Sequence, residues 1–416
     1  MVRTRTGPGG WRAWQGTFGG GDGLCNGDAG DHLVFALSYL TQPGAGGADL
    51  TGTPLPGVAD MAWATPQCSR SKVDAAADYT IAGGPFEGKR LVDALDILSN
   101  WRSSHSWPLL SIRLSLTDRA QKVHAKALIA QRLKRLPTII GKLRRFGHMK
   151  LTQMQDIGGC RAILPHVGQV ERLDRAFAKA ATRRGRHQSE CIERYDYIRN
   201  PKPDGYRGIH LVYKYHTRLA KYEKHDGLRI EVQLRSRVQH EWATAVETVD
   251  LFTKQALKSS IGKEEWKRFF LLTGAVFARD ERRPLPPGVP RNRRVLRTEL
   301  RLLATQLNVN TVLSAWNFVL KEFLPTMVSG ARTFLLVLNV DERKLTVRQY
   351  TLAMQEQATD NYLAVEKEIL KGAVVHAVLV SVRSLRALRQ AYPSFYADTR
   401  HFLSRLDKEI GGPIHR

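Results

Sequence analysis

Residues 195–249 constrain the fold most, because breaker residues, extended apolar runs and charge alternate within one stretch. They read YDYIRNPKPDGYRGIHLVYKYH, a short charged break, and then RIEVQLRSRVQHEWATAVETV. The Pro-Lys-Pro-Asp-Gly segment predicts a turn, and IHLVYKY and IEVQL predict two strands joined at Asp226-Gly227. A helix is predicted to begin near Arg237. Glu231 on the second strand is a poor core residue, but beside Lys and Arg it suits a metal ion and a polyphosphate.

Charge is the outlier in the composition. The chain has 416 residues and a formal net charge of +25, and the excess of Lys and Arg lies after residue 66. A surplus of this size predicts a polyanionic partner such as a nucleotide, RNA or an acidic surface, although a generally basic proteome would also produce it. The four cysteines form no CxxC pair, and neither a long apolar run nor a signal peptide is evident. We therefore expect a cytoplasmic protein with no membrane partner.

Composition also divides the chain into segments. Residues 1–66 hold 15 of the 34 glycines and neither Lys nor Glu, so they are predicted to be disordered or to precede the true translation start. A first folded domain is predicted at 67–280. The Pro- and Arg-rich segment 281–294 is predicted to be a linker. Residues 295–416 are predicted to form a smaller α+β domain with a hairpin, and no catalytic constellation is evident in it.

A basic segment precedes the first glycine-rich motif. Residues 119–150 hold ten Lys and Arg and no acidic residue. Apolar residues recur every three or four positions over 125–146, which predicts a long basic helix with Pro137 at a break or in the first turn of a second helix. A solvated helix usually interleaves Glu, so the pattern favours a face turned towards phosphates over a merely solvated basic face. DIGGCRAIL then predicts a loop and a buried strand, in which Asp156 and Arg161 form part of a site or an ordinary salt bridge.

The residues of 119–247 together indicate a class of chemistry. Two carboxylates on or beside strands, Asp156 and Glu231, occur with many Lys and Arg. Two oxygen ligands plus substrate phosphates suit Mg²⁺, and basic side chains would offset the charge of a transferring phosphoryl group. Tyr206, at a glycine-flanked turn, would present its face to a purine base or simply cover a core edge. The pattern therefore predicts phosphoryl or nucleotidyl transfer.

Three motifs carry a more specific resemblance. DIGGCR, NPKPDGYRGIH and EVQLR, in this order and spacing, resemble the synthetase domain of the RelA/SpoT family, which makes the alarmones (p)ppGpp. The resemblance covers roughly residues 70–260. It implies an α+β fold with a nucleotidyltransferase-like mixed sheet flanked by helices, and a pyrophosphokinase reaction. In that reaction the β,γ-diphosphate of ATP moves to a 3′-hydroxyl and AMP leaves. Gly208 departs from the small hydroxyl residue common there, and no hydrolase domain is expected.

The resemblance also implies roles for individual residues. Asp156 and Glu231 would hold Mg²⁺, and Glu231 would also take the proton of the 3′-hydroxyl. The residues implied to bind ATP are Arg132, which would stack on adenine, and Lys134, Lys142 and Arg161. The residues implied to bind the acceptor are Tyr206, which would stack on its base, and Lys202 and His210, which would contact its phosphates. Outside the motif, Lys202 reads more simply as a solvated turn lysine and His210 as a satisfied strand histidine.

The acceptor stays open between two branches of the family. The main hypothesis is (p)ppGpp synthesis with GDP or GTP as acceptor. The alternative is a toxin-type enzyme of phage defence that pyrophosphorylates the 3′ end of tRNA and is autoinhibited by its C-terminal domain, which the basic surplus and the appended domain favour. A third reading is an inactive RNA-binding or sensor protein on the same scaffold. The C-terminal domain, with Tyr392 and Tyr396, would cover the active site or bind a protein trigger, and a homo-oligomer is compatible with the sequence.

Overall fold

The part of the chain that the structure describes contains two β-sheets with helices packed on them. The structure is a computed structural model that describes residues 63–82, 89–181, 189–253, 264–310, 312–313, 331, 333–339, 342, 344–351, 354–370, 375–381 and 399–411. One sheet has five strands and the other has three. The predicted α+β class, with a mixed sheet and a second, smaller α+β unit, is confirmed.

The elements follow one another in the order α1–α3, β1, α4, β2, α5, β3–β5, α6–α8, β6, β7, α9, β8, α10. The described helices are α1 (Arg70–Ile81), α2 (Lys89–Ser103), α3 (Ser106–Val123), α4 (Leu136–Arg145), α5 (Val167–Ala181), α6 (Arg237–Thr253), α7 (Glu264–Asp280), α8 (Arg293–Gln306), α9 (Gln355–Leu370) and α10 (Arg400–Ile410). The described strands are β1 (Leu128–Leu133), β2 (Gly158–Leu164), β3 (Glu190–Asp196), β4 (Ile209–Lys214), β5 (Arg229–Ser236), β6 (Thr333–Asn339), β7 (Lys344–Tyr350) and β8 (Val375–Ser381).

The five-stranded sheet separates an apolar face from a polar one. Its order is β1-β2-β5-β4-β3, with β2 and β5 parallel and the other pairs antiparallel. Since side chains alternate along a strand, Cys160, Val232 and Leu211, which are paired across β2, β5 and β4, share one face. That face packs on α3 and α5 in a single buried core. The opposite face carries the charged side chains of the same strands.

The predicted long basic helix over 125–146 is wrong in its first half. Residues 128–133 form the edge strand β1, which pairs with β2 along its whole length, from Leu128 opposite Ile163 to Leu133 opposite Gly158. Apolar residues cluster in this short segment, so periodicity alone does not separate a helix from a strand, and pairing with the sheet overrides local helix propensity. Within 125–146 only α4 is helical. Pro137 lies in its first turn, which was one of the two predicted positions for this proline.

The smaller sheet forms a layer with one helix. β6 lies between β7 and β8 and pairs antiparallel with both, so the predicted hairpin of β6 and β7 is present. The sheet packs on α9 through a small core that includes Leu335, Tyr350 and Tyr362. Helix α9 begins at Gln355. Tyr392 and Tyr396 lie outside the described residues.

The predicted linker at 281–294 does not separate two cores. Helices α8 and α10, assigned from the sequence to a domain at 295–416, share one buried cluster with α6 and α7. Phe402 of α10 contacts Phe269, Phe270 and Phe277 of α7, with ring centroids 5.7 to 6.4 Å apart. The separate layer therefore consists of β6–β8 and α9, because the aromatic faces of α7 need α8 and α10 to cover them.

The folded part also begins earlier than residue 67. Residues 1–62 lie outside the described residues, but Trp63 packs on Trp107 with ring centroids 5.3 Å apart. The Asn100 amide donates to the Thr65 carbonyl and its oxygen accepts from Gln67 N–H. Residues 63–66, predicted to be disordered, are therefore packed against α2 and α3. Within the described residues, no helix is long and apolar enough to cross a membrane.

Candidate active site

The polar face of the five-stranded sheet carries an open cavity. Arg132, Gly159 and Glu231 lie opposite one another across β1, β2 and β5, and the adjacent row contains Arg161, Gln233 and His210. This open cavity is lined by Arg132, Gly159 and Glu231 of the first row and by Arg161, Gln233 and Asp156. Four of the predicted site residues, Arg132, Asp156, Arg161 and Glu231, are thus brought to one cavity.

Asp156, just before β2, is paired with two lysines from different elements. Lys134, directly after β1, places Nζ 2.6 Å from Oδ2, and Lys142 of α4 places Nζ 3.0 Å from Oδ1. Burial alone would raise the pKa of Asp156, but the two ammonium groups outweigh it and hold this pKa well below its usual range. Burial lowers the pKa of Lys134, and Asp156 opposes that shift. The predicted ATP-binding lysines therefore converge on the predicted metal ligand.

Glu231, in the middle of β5, has both carboxylate oxygens engaged. Oε1 accepts from His210 Nδ1 at 2.8 Å, and Oε2 accepts from Gln233 Nε2 at 2.6 Å. Burial would raise the pKa of Glu231, but the hydrogen bond and charge of His210 outweigh it, so this pKa is lowered. The negative charge of Asp156 raises the pKa of Glu231, as expected for two carboxylates that line one cavity.

The Pro-Lys-Pro-Asp-Gly turn is built against α7. Gly205 N–H donates to the Lys202 carbonyl at 2.9 Å, and Tyr206 N–H donates to Asp204 Oδ1 at 2.8 Å. Gly205 has a φ of +90°, and a Cβ on Gly274 of α7 would lie 2.7 Å from the Gly205 carbonyl oxygen. Both positions therefore require glycine, and this backbone contact fixes where the turn presents Tyr206.

Tyr206 is packed among aromatic and cationic groups. Its hydroxyl lies 2.5 Å from His210 Nε2, and the Arg235 guanidinium lies 5.2 Å and the Lys202 ammonium 5.4 Å from its ring centroid. Burial would raise the pKa of Tyr206, but Arg235 and His210 outweigh it and lower this pKa to about 8. Burial would lower the pKa of His210, but Tyr206 and Glu231 raise it to about 9. The three predicted acceptor residues thus lie together, beside Glu231.

Comparison with known proteins bears on the segment that builds this site. Residues 131–252 match the family model described as "Region found in RelA / SpoT proteins". We call residues 131–252, which match this model, the RelA/SpoT region. All three motifs that carried the resemblance fall within the matched residues, so that resemblance is confirmed.

The RelA/SpoT region also has similar proteins in bacteria. The chain is 30% identical over 119 residues to the GTP pyrophosphokinase YjbM of Bacillus subtilis (strain 168), which is 28% of this chain and 52% of that protein. It therefore spans about half the length of this relative. The small alarmone synthetase 1 of Bacillus subtilis bound to its product pppGpp is 20% identical, with a TM-score of 0.37, over 44% of this chain and 92% of that one. A GTP pyrophosphokinase family protein from Streptococcus pneumoniae is 21% identical, with a TM-score of 0.34, over 42% of this chain and 85% of that one.

From the sequence alone, Gln233 and Arg235 were not assigned to the site, although the spacing of EVQLR indicates them. Gln233 and Arg235 stand two and four positions after Glu231 on the same strand. With a side-chain period of two, EVQLR places all three on the polar face. Arg235 is 5% exposed and its Nη2 donates to Gln233 Oε1 at 2.9 Å. Tyr197 was also missed: its ring lies 4.4 Å from the Lys202 ammonium.

The carboxylates of the RelA/SpoT region fit a divalent cation. Asp156 and Glu231 line one cavity, and their mutual repulsion is what a cation between them would relieve. Among the described residues, no group of three or more His, Cys, Asp and Glu gathers at one point. Mg²⁺ commonly takes one or two carboxylates and completes its shell with water and substrate phosphates, so two carboxylates that line a cavity with Arg132 and Arg161 suit it.

Proposed function

We propose that the RelA/SpoT region is an ATP-dependent pyrophosphokinase that transfers the β,γ-diphosphate of ATP to the 3′-hydroxyl of GDP or GTP. The observation that carries the proposal is the single cavity in which two carboxylates face Arg132 and Arg161, with two lysines on Asp156. The name of the curated relative, a GTP pyrophosphokinase, supports the same reaction. The proposal includes no hydrolase activity.

The ATP side of the proposed reaction uses the basic groups around Asp156. Asp156 and Glu231 would hold Mg²⁺, which would offset charge on the transferring diphosphate. Lys134 and Lys142 lie within 3.0 Å of the Asp156 oxygens, so phosphates bound next to that carboxylate are within their reach. Arg132 and Arg161 on the sheet would contact the remaining phosphate oxygens or the base. Such fixed charges favour the transition state because they need no reorganisation during the reaction.

The acceptor side of the proposed reaction uses Glu231, Tyr206 and their neighbours. The O–H bond of the 3′-hydroxyl breaks, its oxygen bonds to the β-phosphorus, and the bond from that phosphorus to the α,β-bridging oxygen breaks as AMP leaves. The proton passes to Glu231, whose lowered pKa keeps it ionised near neutral pH. Tyr206 and Lys202 would hold the acceptor. In-line attack depends mainly on this positioning.

A second candidate acceptor is the 3′ end of tRNA. The end of α4 exposes Arg144, Arg145, Phe146 and, just beyond it, Lys150, and Phe146 is 40% exposed. Basic side chains around an exposed aromatic ring suit a nucleic acid with unpaired bases. In this version the layer formed by β6–β8 and α9, called the C-terminal layer below, restrains the enzyme. Its contact with Arg135 favours this version, because Arg135 Nη1 lies 3.4 Å from the Ala377 carbonyl of β8.

An acceptor assay tests the proposal. Purified full-length protein is incubated with Mg²⁺ and ATP labelled at the γ-phosphate, together with GDP, GTP or deacylated tRNA. We expect label in the guanine nucleotide, and none with Glu231→Gln or Asp156→Asn. Label that enters only tRNA would favour the second candidate. If no acceptor takes label, the region is an inactive binding or sensor scaffold.

A further inference from the structure

Five side chains on the polar face of the sheet form a closed ring of contacts. The Tyr206 hydroxyl meets His210 Nε2, and His210 Nδ1 meets Glu231 Oε1. Glu231 Oε2 accepts from Gln233 Nε2, and Gln233 Oε1 accepts from Arg235 Nη2. The Arg235 guanidinium lies over the Tyr206 ring, 5.2 Å from its centroid, which closes the ring. Two arms therefore connect Tyr206 to Glu231: one through His210 and one through Arg235 and Gln233.

We propose that Arg235 and His210 are positioning residues that hold the Glu231 carboxylate in one orientation relative to the acceptor-binding tyrosine. The proposal rests on the proposed function, because it assigns the acceptor to Tyr206 and the proton transfer to Glu231. Each arm fixes one carboxylate oxygen. A carboxylate held at one oxygen still turns about its bond to the chain, whereas one held at both oxygens does not, so both arms are needed.

The hydrogen bonding of His210 supports a positioning role. Both ring nitrogens are already engaged, one with Tyr206 and one with Glu231. The phosphate contact expected of His210 from the sequence would require it to release one of these partners. A histidine that spans the acceptor side and the carboxylate side instead keeps a fixed distance between them, which an in-line reaction requires.

The burial of Arg235 lowers the stability of the fold instead of raising it. Its side chain is buried, yet Nε and Nη1 find no hydrogen-bond partner among the described residues. A buried guanidinium with unsatisfied donors destabilises the fold. An apolar side chain would fill the same space without that penalty, whereas Arg235 contacts both Tyr206 and Gln233.

The test compares variants that remove one arm or both. Arg235→Met removes one arm, His210→Ala removes the other, and Arg229→Met is the matched control. Arg229 lies on the same strand and the same face, but its Nη1 donates to the Gln153 carbonyl outside the ring. We expect each single variant to lower kcat by about tenfold to a hundredfold, with the KM for ATP changed less than about twofold. The control should leave kcat unchanged.

The double variant Arg235→Met/His210→Ala gives the decisive outcome. If both oxygens must be held, the double variant is no slower than the slower single variant, because residues that act as a unit are not additive. Effects that multiply would overturn the proposal. His210→Gln, which keeps one donor and one acceptor, should retain more activity than His210→Ala, and Arg235→Lys should not rescue because it lacks the planar fork. Equal activity of His210→Gln and His210→Ala would also count against it.

A measurement without substrate separates this proposal from the proposed function. In the ligand-free full-length protein, NMR should show a slowly exchanging imidazole N–H of His210, assigned by its loss in His210→Gln. It should exchange faster in Arg235→Met and unchanged in Arg229→Met. Absence of that protected N–H in the wild type overturns the ring and leaves the proposed function standing. A protected N–H in a protein that transfers no diphosphate overturns the proposed function instead.

Discussion

Glu366 joins the C-terminal layer to helices α2 and α4. It lies on α9, is 2% exposed, and forms an ion pair with Arg102 of α2 at 2.9 Å. Its Oε1 also accepts from the Leu136 N–H at the start of α4 at 3.1 Å and from the Tyr362 hydroxyl at 2.6 Å. Burial would lower the pKa of Arg102, but Glu366 and Tyr362 outweigh it and raise this pKa. Arg102 is therefore charged, and both side chains are buried.

The burial of this ion pair sets the loss of stability that we expect when one partner is replaced. Removing one partner of a buried ion pair leaves the other charge uncompensated and costs about 3–5 kcal/mol. Glu366→Gln keeps the size of the side chain and an acceptor for Leu136 N–H. We therefore expect it to lower the free energy of unfolding by about 3 kcal/mol, the low end of that range. Arg102→Met/Glu366→Gln removes both charges and keeps an acceptor for the Leu136 N–H, so it should cost less than Glu366→Gln alone. The double variant should thus be more stable than either single variant.

Urea unfolding followed by circular dichroism measures this effect. The control is Lys122→Met, which breaks an exposed pair with Asp118 on α3, where the side chains are 69% and 56% exposed, and which should cost at most about 0.5 kcal/mol. A loss below about 1 kcal/mol for Glu366→Gln, or a double variant as unstable as the single ones, would refute the reasoning. Measured beside the acceptor assay, a faster Glu366→Gln enzyme would also support restraint of the site by the C-terminal layer.

Three further predictions concern pH, the acceptor turn and the N-terminal boundary. Burial lowers the pKa of His105 from 6.5 to about 4, so between these pH values the unfolded chain binds a proton that the folded chain does not. The free energy of unfolding should therefore fall by up to about 3 kcal/mol as the pH drops from 6.5 to 4. In His105→Gln, the free energy of unfolding measured over the same range should lack this decrease. Gly274→Ala should raise the acceptor KM more than the ATP KM, because its Cβ would displace the turn at Gly205. A chain that begins at Gln67 should melt at a lower temperature than one that begins at Trp63, because only the longer chain keeps the packing of Trp63 on Trp107.

Local patterns predicted the centre of the RelA/SpoT region well. In 195–249 a proline-rich turn, two short apolar runs and a polar break leave few other arrangements, and α6 begins at Arg237 as predicted. The same approach failed where patterns are ambiguous. Residues 128–133 suit a helix or a strand by their apolar spacing, and only the partner strand β2, about thirty residues later in the chain, decides between them. The boundary at 281–294 failed similarly, because composition does not show that α8 and α10 complete the core of α7.

The sequence indicated which residues belong to the site but not how they contact one another. Motifs named Asp156, Lys134 and Lys142, yet their ion pairs depend on the relative placement of a loop, a strand end and a helix. Likewise, the ring through Tyr206 and Glu231 depends on the register of β4 against β5, where a shift of one residue would turn His210 to the apolar face. Contacts of this kind are set by tertiary packing, which a motif does not encode.

Two adjacent residues give a direct test of the strand at 128–133 and of its consequences. Lys134 and Arg135 follow β1, and they reach different parts of the molecule: Lys134 Nζ bonds Asp156 in the cavity, whereas Arg135 Nη1 reaches the Ala377 carbonyl of the C-terminal layer. A hydrogen bond between charged groups is worth about 1.5–3 kcal/mol, so Lys134→Met should weaken ATP binding by about tenfold to a hundredfold. Arg135→Met should change ATP binding less than about twofold, while loosening β8 in hydrogen exchange. Calorimetric titration of each full-length variant with a non-hydrolysable ATP analogue measures the first effect. If both variants lost the same affinity for the ATP analogue, both side chains would face the nucleotide. The opposite directions of Lys134 and Arg135 in the structure would then be wrong.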